Sequence, residues 1–201
     1  MVKIAVLISG GGTNLQALID ATKANQLNGE IVLVASNRKN AFGLTRAQNA
    51  NIKTLVTKDE DELLKVLKEQ EVELIVLAGY LAIIGEKFID NYKNKIINIH
   101  PSIIPSFSGP GYYGIHVHEA AFKRGVKVSG ATVHFVSKEV DGGPIILQET
   151  IDVSNCKSPE EMQKLILDNI EHNLLVKAVK LYCDNKLEIE NERVNILWEE
   201  H

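Results

Sequence analysis

Short apolar runs alternate with amphipathic stretches through the first hundred residues. That cadence constrains the fold more than any other feature of the chain. Residues 2–8 read as a buried strand, and 14–25 as a helix with Leu15, Leu18 and Ile19 on one face. Residues 31–36 give a second strand, 42–50 a short helix and 53–56 a third strand. Residues 59–70 place Leu63, Leu64 and Leu67 inward with acids and lysines outside. Residues 73–78 read as a fourth strand, 84–92 as a short helix and 95–99 as a fifth strand. Strands apolar on both faces, joined by helices, imply a parallel sheet covered on both sides.

The pattern changes after His100. Residues 100–114 are rich in Pro and Gly and read as a long loop, a length that usually signals function. Residues 116–124 are helical. Residues 131–136 and 144–153 are strand-like, separated by Asp141-Gly142-Gly143. A helix start follows, with Ser158 as N-cap, Pro159 in the first position and Glu161 as capping acid; the helix runs to about Cys183. Two short strand-like segments lie within 187–198. The expected fold class is therefore α/β, a mostly parallel doubly wound sheet with a β-rich C-terminal part and a long C-terminal helix.

Composition narrows the function classes. A chain of 201 residues, 45% hydrophobic and 24% charged, is an ordinary globular domain, not a disordered one. A net charge of -4 argues against a general binder of nucleic acid or of an anionic membrane. Two cysteines, Cys156 and Cys183, are too few for a disulfide framework and read as free thiols. No run approaches the length of a membrane span, and the apolar N-terminal run ends in glycines rather than a cleavage site. A cytoplasmic location is the expectation.

Three constellations carry chemistry. Ser9-Gly10-Gly11-Gly12-Thr13-Asn14 lies between the first strand and the first helix. Glycines there admit close approach of a phosphate to backbone N–H groups, and Thr13 or Asn14 can cap the helix or donate to a phosphate oxygen. The loop is neither a dinucleotide fingerprint, since Leu15 stands at the third glycine position, nor a P-loop. The alternative is a tight turn that binds nothing. Asn98-Ile99-His100-Pro101-Ser102 ends the fifth strand, so Asn98 and His100 project from one face into a crevice. There an amide can donate to an oxyanion while an imidazole moves a proton. Asp141-Gly142-Gly143-Pro144 is either a plain hairpin turn or a carboxylate aimed at His100.

Other polar residues carry less. His116 and His118 sit two apart at a helix start, where side chains diverge, so a metal site is not expected. His134 is a core histidine or a pocket wall, and Glu171-His172 reads as a solvated helix face unless a substrate reaches it. Arg38 and Lys39 meet either a nucleotide phosphate or solvent. Phe107, Tyr112 and Tyr113 form a lid or anchor the loop.

The collinear stretches KIAVLISGGGTNLQALID, IVLAGYLAII, INIHPSIIPSF and GATVHFVSKEVDGGPIILQ, with IEH in the last helix, resemble the folate-dependent formyltransferase family. NIHPS with DGGPI points to that group. SGGGTN and the compact length point to its branch acting on glycinamide ribonucleotide; the methionyl-tRNA branch lacks this opening loop. The resemblance covers nearly the whole chain and implies one Rossmann-like formyltransferase domain over 1–201, with 1–99 as the phosphate-binding half. Residues 100–201 then supply the catalytic loop, the folate-side strands and the C-terminal helix.

The same resemblance implies formyl transfer from 10-formyltetrahydrofolate to the primary amine of glycinamide ribonucleotide, a step of de novo purine biosynthesis, without a metal. It makes Asn98, His100 and Asp141 catalytic. Gly12, Thr13, Asn14 and Glu171 fall on the ribonucleotide, and Leu81, Ala82, Ile83, Ile84 and Asn98 on the folate. Lys58 falls on the folate side as a basic residue. Two departures stand out: some members carry Arg where this chain has Ala82, and loop 108–114 is longer than the shortest family versions. The implied partners are small molecules, with no nucleic acid and no membrane; monomer and homodimer both stay open. Two rival classes remain at this point. One is an NADP-dependent oxidoreductase, suggested by the glycine loop with Arg38-Lys39. The other is a non-catalytic nucleotide-binding module in which Asn98, His100 and Asp141 point apart.

Overall fold

A computed structural model describes residues 1–197. Seven strands form one sheet: β1 (Val2–Ile8), β2 (Gly29–Ser36), β3 (Lys53–Val56), β4 (Leu74–Leu77), β5 (Ile96–His100), β6 (Val128–Phe135) and β7 (Ile145–Asp152), in the order β3-β2-β1-β4-β5-β6-β7. The first five run parallel, while β6 is antiparallel to β5 and to β7. Chain order reverses between β1 and β4, which opens a crevice at their carboxyl ends.

Seven α-helices cover the sheet: α1 (Thr13–Lys23), α2 (Phe42–Asn49), α3 (Glu60–Glu69), α4 (Glu86–Asn91), α5 (Ile115–Arg124), α6 (Pro159–Ile166) and α7 (His172–Cys183). The two-residue period of β1 divides its side chains between two cores. Ile4, Val6 and Ile8 pack with Leu15 and Leu18 of α1, Leu44 of α2, Met162 of α6 and Leu174 of α7. Ala5 and Leu7 pack on the other face with Leu63, Leu64 and Leu67 of α3 and Phe88 of α4. Each fully buried aliphatic side chain contributes about 1.5–3 kcal/mol.

Caps set where the helices begin. Asp59 accepts from the N–H groups of Asp61 and Glu62 at 2.8 and 3.3 Å and starts α3. Ser158 accepts from Glu161 N at 3.2 Å and starts α6, as expected; the Glu161 carboxylate reaches back one residue further, to Lys157 N at 2.8 Å. Three expectations are corrected. Helix α4 begins at Glu86 rather than at residue 84, because Gly85, extended at φ -70 and ψ 154, is its N-cap. Strand β6 begins at Val128, where pairing with Asp152 extends it beyond the apolar run. The last long helix is not continuous: a π-helical turn, Leu167–Glu171, separates α6 from α7. The tail forms a hairpin, Leu187–Glu190 with Arg193–Ile196; Trp198, included in the expected strand pair, lies outside the described residues. Among those described, no helix is long and apolar enough to cross a membrane.

Candidate active site

A cavity of about 730 Å³ opens at the carboxyl ends of β1, β4 and β5, within the range that holds a small ligand. The glycine loop, residues 81–84, Asn98, His100, Asp141 and Glu171 all line it. Ser9 joins two walls: its hydroxyl donates to Asn37 Oδ1 at 2.7 Å and accepts from Leu81 N at 2.9 Å.

Asn98 and His100 leave β5 on the cavity side, whereas Ile97 and Ile99 join the core. The antiparallel register sets His134 directly opposite Asn98. Its Nδ1–H donates to the Phe135 carbonyl at 2.9 Å, which leaves Nε2 as an acceptor for the Asn98 amide at 3.1 Å. Burial holds the His134 pKa below the ordinary histidine value, so the ring stays neutral and keeps that acceptor. This bond fixes which end of the Asn98 amide bears its N–H groups. One N–H goes to His134, and the second is available to a ligand.

The His100 ring is 4% exposed and donates from Nε2 to the Phe107 carbonyl at 2.8 Å. Its Nδ1 faces Asp141 Oδ2 at 3.5 Å. A proton on Nδ1 therefore makes the ring an imidazolium held between a carbonyl and a carboxylate, both acceptors. Asp141 sits at φ 56, a left-handed conformation that Asp tolerates better than most residues. Its Oδ2 accepts from Gly109 N at 2.9 Å, and Oδ1 lies 3.7 Å from His134 Nε2. The turn behind it requires Gly143, where a Cβ would stand 1.8 Å from the Phe135 oxygen. The carboxylate aimed at His100 is thus the reading that the geometry bears out.

Helix α1 starts at Gly12, in the left-handed region at φ 70, with no side-chain cap. Neither Thr13 nor Asn14 caps it, because both lie inside the first turn. The N–H groups of that turn have no partner within the helix. Asn14 instead donates from Nδ2 to Glu171 Oε2 at 2.8 Å. Glu171 is buried, which corrects the solvated-face expectation: the π-helical turn carries it inward beside Ile170. Burial pushes its pKa up to about 7, against the lowering effect of the Asn14 bond.

His116 and His118 diverge as their spacing predicts. His116 is exposed and meets Glu119 at 2.8 Å, whereas His118 lines the cavity and is held near a pKa of about 4, first by burial and then by His100. Phe107 packs on the core and anchors the long loop, while Tyr112 and Tyr113 stay partly exposed at the cavity rim. Leu81 and Ile83 are exposed apolar residues of the cavity lining. Lys58, Arg38 and Lys39 are exposed and absent from the cavity lining. Among the described residues no group of three or more His, Cys, Asp or Glu could hold a metal ion.

His134, expected as a core histidine or a pocket wall, is buried and lines the cavity; sequence reasoning missed its bond to Asn98, which follows from the in-register position opposite that residue. It also missed Gln163 and Leu167, which line the ligand side of α6 and the π-helical turn.

The family model described as Formyl transferase matches residues 2–179. The chain belongs to the formyl transferase family. It is 36% identical to phosphoribosylglycinamide formyltransferase of Escherichia coli, covering 92% of this chain and 89% of that protein. It is 40% identical to the chicken trifunctional purine biosynthetic protein adenosine-3 over 98% of this chain, but spans only 20% of that protein. A crystal structure of phosphoribosylglycinamide formyltransferase from Anaplasma phagocytophilum superposes with a TM-score of 0.92 at 38% identity, covering all of this chain and 95% of that one.

Proposed function

We propose that this chain transfers a formyl group from 10-formyltetrahydrofolate to the primary amine of glycinamide ribonucleotide. The products are formylglycinamide ribonucleotide and tetrahydrofolate, as in purine biosynthesis. The observation that carries the reading is that Asn98, His100 and Asp141 line one cavity together with the glycine loop and residues 81–84.

The ribonucleotide phosphate meets Gly12, Thr13 and Asn14, where helix N–H groups and the helix dipole favour an anion. Glu171 meets the body of the ribonucleotide. Leu81, Ala82, Ile83 and Ile84 cover the flat folate ring, which brings the formyl group to Asn98. The amine nitrogen then attacks the formyl carbon and a C–N bond forms. The second Asn98 N–H donates to the oxygen that becomes negative, and the charge of the His100 imidazolium, whose ring nitrogens already face acceptors, favours it from nearby. Asp141 holds the imidazolium and takes part in passing the amine proton toward N10 as the N10–carbon bond breaks. The formyl group is already activated by its nitrogen leaving group, so the proposed steps involve no metal.

The geometry speaks against both rival classes. Arg38 and Lys39 point to solvent rather than to a cofactor phosphate, and the three site residues converge instead of pointing apart. The test is turnover of 10-formyltetrahydrofolate with and without glycinamide ribonucleotide. Tetrahydrofolate release that depends on the ribonucleotide supports transfer. Release at the same rate without it contradicts the proposal.

A further inference from the structure

Helix α2 grips the glycine loop from the side away from the cavity. Gly43 N–H donates to the Gly10 carbonyl at 3.1 Å, and Arg46 Nε–H donates to the Gly11 carbonyl at 2.9 Å. Two consecutive peptide carbonyls are thereby drawn toward α2. In a trans peptide the C=O and the N–H of the next residue point in opposite directions. The N–H groups of Gly11 and Gly12 are therefore turned away from α2, toward the cavity that Gly10, Gly11 and Gly12 line.

Arg46 is itself fixed. Its Nη1 donates to Gln16 Oε1 of α1 at 3.1 Å, and its guanidinium carbon stands 5.1 Å from the centre of the Phe42 ring. One side chain thus joins α1, α2 and the loop. The approach is possible because glycine stands on both sides of the contact. A Cβ on Gly12 would fall 2.7 Å from Gly43 Cα, and a Cβ on Gly43 would fall 2.4 Å from Ile8 Cδ1.

We propose that Arg46 is a positioning residue for phosphate recognition: by holding the Gly11 carbonyl, it pre-orients the loop N–H groups that receive the 5′-phosphate. This inference rests on the reading of the loop as the phosphate site. Arg46 itself does not line the cavity, so it acts through the loop backbone rather than by touching the reacting atoms. Pre-organised donors need no reordering when the anion arrives.

Two variants separate the carbonyl bond from the charge. In Arg46→Gln the amide nitrogen lies as many bonds from Cα as the arginine Nε, so the donor to Gly11 survives without the charge. In Arg46→Met the stem survives without the donor. The readout is the ratio of kcat/KM for glycinamide ribonucleotide to that for the ribonucleoside lacking the 5′-phosphate, in wild type and both variants, with KM for the formyl folate as control. A ratio near one in the wild type overturns the phosphate-loop reading itself. With a large wild-type ratio, Arg46→Met is expected to lower it about 10–100-fold, the worth of one strong hydrogen bond. Arg46→Gln is expected to stay within about threefold of wild type, and the folate KM to hold in both. A wild-type ratio in Arg46→Met overturns the inference. So does a ratio in Arg46→Gln as low as in Arg46→Met, because charge rather than the carbonyl bond would then carry the effect.

Discussion

Replacing Glu171 by Gln should stabilise the protein at pH 8 and leave its stability nearly unchanged at pH 5. The carboxyl is buried, and its pKa stands at about 7 against an ordinary 4.5. An acid whose folded pKa is raised binds a proton in the folded state over a window where the unfolded chain has released it. Between these two values stability therefore falls as pH rises, and above pH 7 this contribution levels off. At about 1.4 kcal/mol per pH unit, the full window is worth about 3 kcal/mol, of which about 2–3 kcal/mol separates pH 5 from pH 8. Gln keeps a carbonyl to accept from Asn14 Nδ2 and has no proton to lose. Urea unfolding of both proteins at the two pH values measures the effect. The gain of the variant over wild type should be about 2–3 kcal/mol larger at pH 8, equivalent to about 5–10 °C in Tm. Every other titrating group is common to the two proteins and cancels. The variant should nonetheless lose kcat/KM for the ribonucleotide, since stability at such a site trades against function. A gain that does not change with pH would refute the reasoning, for it would mean that water reaches the carboxyl as freely as in the unfolded chain.

His100→Ala should lower kcat by about 10²–10³-fold while circular dichroism and Tm stay near wild type, because the ring lines the cavity and its charge favours the developing oxyanion. Asp141→Asn should lower kcat with smaller changes in both KM values, as it removes the carboxylate 3.5 Å from His100 Nδ1 but keeps an acceptor for Gly109. Gly12→Val should raise KM for the ribonucleotide more than for the folate and cost about 1–3 kcal/mol in urea unfolding, since φ 70 and Gly43 both oppose a side chain. Activity should survive exhaustive dialysis against EDTA; loss restored by zinc would overturn the metal-free steps.

The parts of the fold that were legible in the sequence are those that depend on local patterning. The largely apolar run at Val2–Ile8 ends where Ser9 and the glycines interrupt it, and the strand does the same. The face that lines the cavity was legible for a similar reason: Asn98 and His100 share a side of β5 because strand side chains alternate. What stayed hidden depends on pairing and on helix phase. Asn98 meets His134 only through the antiparallel register of β5 with β6, and no local pattern states which strands pair. Glu171 read as a solvated residue unless a substrate reaches it, being charged and mid-helix; it lies in a π-helical turn, buried and bonded to Asn14, a contact that no local pattern states. Residues 84 and 85 read as the start of a helix, whereas Gly85 is extended and α4 begins at Glu86.

The most direct test of the central claim follows the formyl carbon itself. The purified protein is given 10-formyltetrahydrofolate labelled with ¹³C in the formyl group, together with glycinamide ribonucleotide, and the products are read by NMR and mass spectrometry. The account predicts that the label moves to the amine nitrogen of the ribonucleotide, that tetrahydrofolate appears in equal amount, and that His100→Ala slows both together. Label found only in free formate, or retained on the folate while the protein is folded, would contradict it.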